Sequence, residues 1–259
     1  MVDFKIMYTF SKELIKKYEY MEQNTPKTGY LLFPFTFDVK ALQVDLATCM
    51  KFNFLENYVP TNYAGKDYIL PLRSVDGTLD SAVATENQAS RFKNTVVLDE
   101  CPYFDEVINS FLCDKEAVRL MNLPAGKIVN THIDYNGGYE DGIFRVHIPV
   151  ITNDEVFFIL NDERLQMRSG EAWYTNINLP HGVENNGTTH RVHLVIDCIR
   201  NDWSDELFFS LAPKESFFPS KEEESPETLQ RMIDEFKNHQ NPVFYEIIAE
   251  FEEKLKTFK

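Results

Sequence analysis

The middle of the chain, from about residue 117 to residue 200, alternates between apolar and polar positions with a period of two residues. Turn residues such as Asn136-Gly137-Gly138 and Ser169-Gly170 separate the apolar runs. This period is typical of strands that bury one face. It predicts about seven short strands, a number that favours a double-sheet jelly roll over other β folds. The predicted strands are AVRLMNL, KIVNTHID, IFRVHIPVI, EVFFIL, RLQM, EAWYTN and HRVHLVIDCI.

The segments on both sides of this middle show the apolar spacing of amphipathic helices. Ser225-Pro226-Glu227 is typical of a helix start, and Asn241-Pro242 begins a second helix in the tail. Before the strands, helices are predicted over residues 12–21, 39–51 and 99–112, and residues 58–76 are predicted to form a loop with the short strand YILPLRS.

The fold class is therefore mainly β with flanking helices, in three regions. Residues 1–116 are N-terminal helical and strand segments, residues 117–200 are the β core, and residues 201–259 are a C-terminal helical extension. We expect both flanks to pack against the core, because a helix with one apolar stripe must bury it.

Composition limits the kind of partner. With 259 residues and 43% hydrophobic residues the chain is globular, and its net charge of −15 argues against nucleic acid or an anionic membrane as a partner. The four cysteines lack a C-x-x-C spacing, which favours reduced thiols in the cytoplasm. Neither a signal peptide nor an apolar run of about 18 residues is present in this sequence. We expect a cytoplasmic protein with a small-molecule substrate; the oligomeric state stays open.

His132, Asp134 and His181 form a candidate metal site. Residues two apart on a strand point to the same face, so His132 and Asp134 project together. His181 comes from a later strand, and closure of the two sheets would bring it opposite. Two imidazoles and one carboxylate are the ligands of non-haem Fe(II) oxygenases, which leave other positions of the ion open.

Arg191, ten positions after His181, and the pair Arg145 and His147 lie on strands that also supply apolar side chains. A polar face with arginines inside such a fold suits a carboxylate ligand, because the guanidinium fork matches a carboxylate. Taken one at a time, these residues have ordinary explanations: a turn histidine, a surface arginine, and the solvent face of a strand. Their combination and spacing favour a metal site.

The segment HID…FRVHIPVITN…MRSGEAWYTNINLPHGVENNGTTHRVHLVID resembles the aspartyl/asparaginyl β-hydroxylase family of Fe(II)/2-oxoglutarate-dependent oxygenases. Within that family it is most similar to bacterial enzymes that hydroxylate free amino acids such as proline. The resemblance implies a double-stranded β-helix (jelly roll) core, with Fe(II) held by the three residues above. It also implies that Arg191 grips the distal carboxylate of 2-oxoglutarate. Arg145 and His147 match active-site positions and would contact 2-oxoglutarate or the substrate.

One departure within the family is informative. Some members have glycine in place of the metal carboxylate, whereas this chain has Asp134. The full triad is typical of the free amino-acid hydroxylases, and it argues against a halogenase. The serine that helps to bind 2-oxoglutarate in peptide-modifying members has no convincing counterpart.

Candidate substrate residues are Arg73 and Ser74 at the pocket mouth, and Trp173, Tyr174 and Asn176 near the metal strand. Arg73 is equally compatible with a surface position, and Trp173 with a place in the core. The glycine-rich loop 135–142, directly after Asp134, is compatible with a lid or with a plain hairpin.

The predicted reaction is hydroxylation of an unactivated C–H bond of a free amino acid or similar small carboxylate. It would consume O2 and 2-oxoglutarate and release succinate and CO2. The alternatives are a peptidyl aspartyl/asparaginyl β-hydroxylase and a non-enzymatic, cupin-like jelly-roll binding module. The sequence leaves open the amino acid, the regio- and stereochemistry, and the ligand that Arg145 and His147 contact.

Overall fold

The computed structural model describes residues 28–56, 63–64, 68–81, 91–134, 136–218, 226, 229–230, 233–234, 237 and 245–258. The chain divides into two compact units, one spanning Thr28–Phe217 and the other formed by Met1–Lys27 with Phe218–Lys259. The helix predicted over residues 12–21 lies outside the described residues.

The strands and helices of the described residues are as follows. The strands are β1 Tyr30–Thr36, β2 Leu55–Glu56, β3 Tyr63–Ala64, β4 Tyr68–Val75, β5 Phe92–Asn94, β6 Lys115–Leu123, β7 Ile128–His132, β8 Ile143–Ile151, β9 Val156–Leu160, β10 Glu163–Leu165, β11 Glu171–Thr175, β12 His181–Asn185 and β13 Arg191–Ile199. The helices are α1 Val39–Cys49, α2 Val96–Asp99, α3 Pro102–Asn109, α4 Asp202–Leu211 and α5 Tyr245–Thr257, and 3-10 helices span Tyr139–Asp141 and Lys214–Ser216.

Among the described residues these strands form two sheets. The larger sheet has the order β1-β11-β8-β13-β6-β4-β2, with β5 paired to β4, and the smaller has the order β10-β9-β12-β7-β3. From β6 to β13 the chain moves from one sheet to the other at each step, except that β9 and β10 both lie in the smaller sheet. All pairings are antiparallel. This winding is a double-stranded β-helix, so the predicted fold is confirmed.

Most of the predicted strands have the expected bounds, and IFRVHIPVI is β8 from its first residue to its last. The strand β12 was not among the runs predicted from the alternation, since HGVEN is short and contains Gly182. The helix predicted over residues 99–112 is present as α3, but its bounds are narrower, since α2 ends at Asp99 and α3 spans Pro102–Asn109. Proline suits the first helical position because it lacks an N–H group, so a new helix begins there.

The N-terminal region contributes strands to the same sheets as the core. Strands β1 and β4 extend the larger sheet on opposite sides, through pairs with β11 and β6. The helix α4 directly follows β13 and was not predicted from the sequence. The division into regions 1–116, 117–200 and 201–259 stays a prediction.

Both faces of the central strands β8 and β13 are buried. On one face, Phe144 packs against Phe208 of α4 with ring centroids 5.1 Å apart. On the other face, residues of the two sheets meet in an apolar cluster. The side chains that alternate with Phe144, including Arg145 and His147, therefore lie in the interior of the sandwich and not on a solvent face. The interior cluster consists of Leu123, Val129, Phe158, Leu160, Leu165, Met167, Leu179 and Val183.

The C-terminal unit has its own small core. Leu229 and Ile233 pack with Ile248 and Phe251 of α5. The described residues from 226 to 237 are helical, as the sequence predicts. That the tail packs against the β core stays a prediction.

The described residues contain no helix with the length and apolarity needed to cross a membrane. All four cysteines are buried free thiols. The cytoplasmic location stays a prediction.

Candidate active site

His132, Asp134 and His181 meet at one end of the smaller sheet. His132 is the last residue of β7, His181 is the first of β12, and the two are directly paired across the strands. Asp134 follows β7 and is held there by its backbone N–H, which donates to the carbonyl of Ile177 at 3.0 Å. One ligand atom from each side chain lies within 4.8 Å of the others. The structure thus brings together the three residues that the sequence singled out.

The two histidines have defined tautomers. Nδ1 of His132 lies 2.9 Å from the carbonyl oxygen of Asn130, and Nδ1 of His181 lies 2.9 Å from that of Leu179. Because a carbonyl oxygen only accepts hydrogen bonds, each Nδ1 carries the proton. Nε2 of each ring is then free to bind a metal ion, which is the arrangement usual for metal-binding histidines.

The charges of the triad also suit a metal ion. Burial, followed by the positive charge of His132, lowers the pKa of His181 to about 4, so its imidazole is neutral near pH 7. Burial alone would raise the pKa of Asp134, but the charges of Arg145 and the two histidines reverse this effect and lower it. The neutral imidazole of His181 and an ionised carboxylate therefore lie beside Nε2 of His132, which is the set of donors that non-haem Fe(II) sites use.

Arg145 connects the triad to a buried carboxylate on β13. Its Nη1 donates to Oδ2 of Asp134 at 3.1 Å. Its Nε and Nη2 donate to the two oxygens of Asp197 at 2.6 and 3.3 Å. Arg119 of β6 donates to Asp197 from the other side at 2.7 Å. The predicted contact of Arg145 with 2-oxoglutarate stays a prediction, and N–H groups that these bonds do not use remain for it.

A second cluster of buried polar groups lies further along the interior face of the larger sheet. Arg191 is 3% exposed, and its Nη2 lies 2.8 Å from Nδ1 of His193. Because arginine only donates, Nδ1 of His193 accepts and its Nε2 carries the proton. Among the described residues, His193 Nε2, both ring nitrogens of His147 and Oγ1 of Thr175 are buried without a hydrogen-bond partner. Leaving a buried polar group unpaired costs about 1–3 kcal/mol, so these atoms suit a polar ligand.

The neutral state of these two histidines gives the protein an acid-sensitive stability. Burial, followed by the charge of Arg191, lowers the pKa of both His147 and His193 well below its ordinary value. In the unfolded chain the pKa of each returns to about 6.5. Below that pH the unfolded state binds protons that the folded state excludes. The free energy of unfolding therefore falls with decreasing pH, by up to about 1.4 kcal/mol per unit for each histidine.

We expect the variant His193→Asn to reduce this dependence by about 1.4 kcal/mol per pH unit below about pH 6. The slope of the free energy of unfolding against pH is measured by urea unfolding of the metal-free protein between about pH 7 and pH 5. This range spans the ordinary histidine pKa of about 6.5. His190→Asn, which changes an exposed histidine, is the control and should keep the wild-type slope. An unchanged slope in the His193 variant would contradict the burial of a neutral imidazole.

Two of the predicted substrate residues lie close to these clusters. Trp173 pairs with His147 across β11 and β8, and its ring packs against Tyr30 with centroids 6.0 Å apart. Asn176 is fully buried and donates to both carboxylate oxygens of Glu140, which follows Asp134 in the chain. Their contact with substrate stays a prediction.

Of the other three, Tyr174 packs against Phe208 with ring centroids 4.9 Å apart, and Arg73 and Ser74 are engaged elsewhere. Nε of Arg73 donates to the carbonyl of Lys115 and its Nη1 to the side chain of Asn94, both at 3.1 Å. Ser74 is buried and donates to the carbonyl of Thr78. None of the hydrogen bonds found among the described residues joins either residue to the triad, and their role as substrate residues stays a prediction.

The loop after Asp134 is anchored to the core over its described residues, 136–142. Tyr139 is fully buried, stacks on Phe208 with centroids 3.7 Å apart, and donates to Asp205 at 2.6 Å. The N–H of Gly137 donates to the side chain of Asn178. These residues are therefore packed against the body of the protein and do not stand open as a lid.

Sequence reasoning missed Asp197, Arg119 and Thr175 as members of the site. A signal was present for the first two, because each is a charged residue inside an otherwise apolar strand, RVHLVIDCI and AVRLMNL. Charged residues at such positions are seldom buried unless they are paired, so two opposite charges on strands of one sheet indicate each other. Thr175 gives no comparable signal, since threonine is common in strands.

Comparisons with known proteins agree with this site. Residues 81–201 match the family model described as aspartyl/asparaginyl beta-hydroxylase. An L-proline cis-4-hydroxylase of Rhizobium meliloti (strain 1021) is 26% identical over 217 residues, which are 82% of this chain and 71% of that protein. The resemblance predicted from the sequence is confirmed over the matched residues.

Two solved structures are similar at lower identity. An oxidoreductase of the 2OG-Fe(II) oxygenase family from Burkholderia pseudomallei is 14% identical with a TM-score of 0.44, over 67% of this chain and 86% of that one. A prolyl-4-hydroxylase from Pseudomonas putida is 12% identical with a TM-score of 0.41, over 67% of this chain and 93% of that one. With TM-scores below 0.5, these likenesses add no further argument.

Proposed function

We propose that this protein uses Fe(II), 2-oxoglutarate and O2 to hydroxylate a C–H bond of a free amino acid or a similar small carboxylate. The observation that carries the proposal is the convergence of His132, Asp134 and His181. His181 is far from the other two residues in the sequence, so only the fold brings the three together. The L-proline hydroxylase among the relatives supports a small amino acid as the substrate.

The three residues of the triad would hold the metal ion through Nε2 of each histidine and Oδ1 of Asp134. Three protein ligands leave positions of the ion open for 2-oxoglutarate and O2. When bound, Fe(II) and 2-oxoglutarate together supply the reduction of O2 that places one oxygen atom on the substrate and converts 2-oxoglutarate to succinate and CO2. The protein orients the reactants and keeps water away from them.

The buried groups beside the triad fit the co-substrate. Arg191 would pair with its 5-carboxylate, while His193 and Thr175 offer an N–H and an O–H that have no partner among the described residues. Burial, followed by the charges of Arg191 and Arg145, lowers the pKa of His147, so its imidazole is neutral. Its unpaired ring N–H is a further donor for the same ligand. A cluster of donors in a buried space suits a dicarboxylate, since each carboxylate oxygen accepts hydrogen bonds.

The charges of the buried side chains also favour a dianionic co-substrate. Arg119 and Arg145 are buried and donate to the carboxylates of Asp197 and Asp134, and a third arginine, Arg191, is buried next to His193. A divalent ion would add further positive charge to an interior in which unpaired charge is costly. A dianion such as 2-oxoglutarate offsets that surplus, although the chain as a whole carries a net charge of −15.

A peptidyl aspartyl or asparaginyl side chain is the second candidate substrate, supported by the description of the matched family. The two candidates differ in what surrounds the hydroxylated carbon. A free amino acid offers an ammonium and a carboxylate next to it, and a peptide offers two amide groups. The same assay therefore separates them, with free amino acids in one series and short peptides in another.

The experiment is a turnover screen of the purified protein with Fe(II), 2-oxoglutarate and O2 against each common amino acid. We expect one amino acid to give succinate in step with a product heavier by about 16 Da, the mass of one oxygen atom. The matched control, Asp134→Ala, should give neither product. Turnover of peptides alone would favour the second candidate, and no succinate with either series would refute a hydroxylase.

A further inference from the structure

The two oxygens of Asp134 have different surroundings. Oδ1 lies 3.7 Å from Nε2 of His132, the ring nitrogen that is left for a metal ion. Oδ2 accepts a hydrogen bond from Nη1 of Arg145 at 3.1 Å. A carboxylate can bind a cation through one oxygen or through both. The hydrogen bond from Arg145 to Oδ2 disfavours binding through both oxygens, because this charge-assisted bond would have to break before Oδ2 could bind the ion.

The position of Arg145 is fixed by Asp197. The guanidinium group donates from Nε and Nη2 to the two oxygens of Asp197, which is the forked geometry that holds both position and plane. Asp197 is itself held by Arg119 at 2.7 Å, and the side chains of Arg119 and Asp197 are each 7% exposed. The chain of contacts thus runs from β6 through β13 and β8 to the loop that carries Asp134.

We propose that Asp197, supported by Arg119, is a positioning residue that keeps Arg145 on Oδ2 of Asp134, so that Asp134 presents Oδ1 alone to the metal ion. This inference rests on the proposed metal site. Binding through one oxygen leaves the other positions of the ion to the co-substrate and O2. Asp197 touches none of the reacting groups and acts only through Arg145.

The test is metal binding, not turnover. In Asp197→Asn one carboxylate oxygen becomes an amide nitrogen, which cannot accept a bond from Arg145 or Arg119. We expect the dissociation constant for Co(II), measured by calorimetry without O2, to rise about 10–100-fold, as is usual when the partner of a metal ligand is lost. We also expect the visible spectrum of bound Co(II) to change, because the coordination of the ion changes with the mode of Asp134.

Arg145→Lys is the second variant, which keeps the positive charge but cannot form the fork. It should shift both readouts in the same direction, and it keeps the test decisive if Asp197→Asn does not fold. The matched control is Asp76→Asn, which removes the carboxylate that accepts from Nη2 of Arg91 at 3.3 Å, in an exposed pair that includes no residue of the triad. The control should keep the wild-type dissociation constant and spectrum.

The outcomes separate this inference from the proposed function. If wild-type protein binds no Co(II), or binds it equally well in His132→Ala, the metal site itself is refuted. If the wild type binds at the triad while Asp197→Asn and Arg145→Lys keep its dissociation constant and spectrum, only the positioning role is refuted. Equal losses in Asp197→Asn and in the control would also overturn it, since they would reflect a general loosening of the fold.

Discussion

The variant His132→Ala is expected to lose iron-dependent hydroxylation by more than about 100-fold, because even the loss of a residue that only supports a metal ligand costs about 10–100-fold. His132 supplies one of the two imidazoles, and its Nδ1–H is already committed to the carbonyl of Asn130. Replacing it leaves an imidazole and a carboxylate, too few ligands to hold Fe(II) in place. The measurement is succinate formed per unit time with saturating Fe(II), together with the dissociation constant for the metal.

The fold should survive this change, because His132 lies at the end of a strand with its side chain 16% exposed. His190→Ala is the control: His190 is also near the start of a strand, but it is exposed and its Nδ1 lies 2.8 Å from the side chain of Asn122, away from the triad. It should retain both activity and metal affinity. Activity within a few-fold of wild type in His132→Ala, a margin of less than about 1 kcal/mol, would contradict the assignment of this residue.

Arg191→Lys is expected to raise the KM for 2-oxoglutarate by about 10–100-fold, because hydrogen bonds to charged groups contribute about 1.5–3 kcal/mol each. Lysine keeps the positive charge but has one ammonium group in place of the planar guanidinium group. That single group cannot form two hydrogen bonds to a carboxylate and also donate to Nδ1 of His193. Metal affinity should stay at the wild-type value, since Arg191 does not contact the triad through any hydrogen bond of the described residues.

This separation of KM from metal affinity is the informative part of the result. Arg164→Lys is the control, as Arg164 is 56% exposed and pairs with Glu184 at 2.9 Å. It should leave the KM for 2-oxoglutarate unchanged. An unchanged KM in Arg191→Lys would mean that the co-substrate carboxylate is bound elsewhere, and a loss of metal affinity would mean that Arg191 supports the triad.

The alternation of apolar residues predicted most of the β core, because strands buried between two sheets impose it directly. IFRVHIPVI is unambiguous for this reason. β12 was missed as a run because its five residues include a glycine and three polar side chains, and they form a strand only through pairs with β7 and β9. The pairing of distant strands is a property of the whole fold, which a local pattern does not contain.

The triad was predictable because its residue types and their spacing are unusual together. The roles of its neighbours were not. Arg145 was expected to meet a ligand, whereas its described contacts are to Asp134 and Asp197. That arrangement depends on the register of β8 against β13, which places Arg145 opposite Asp197. The positions of Arg73 and Ser74 likewise depend on the pairing of β4 with β5 and β6.

The most direct test of the metal site is a crystal structure of the protein grown with Mn(II), in which anomalous scattering locates the ion. We expect one peak at about 2.0–2.2 Å from Nε2 of His132, Oδ1 of Asp134 and Nε2 of His181, close to the range found for nitrogen and oxygen ligands of Zn(II). A peak elsewhere, with no ion bound to His132, Asp134 and His181, would contradict the metal site on which the proposed reaction depends.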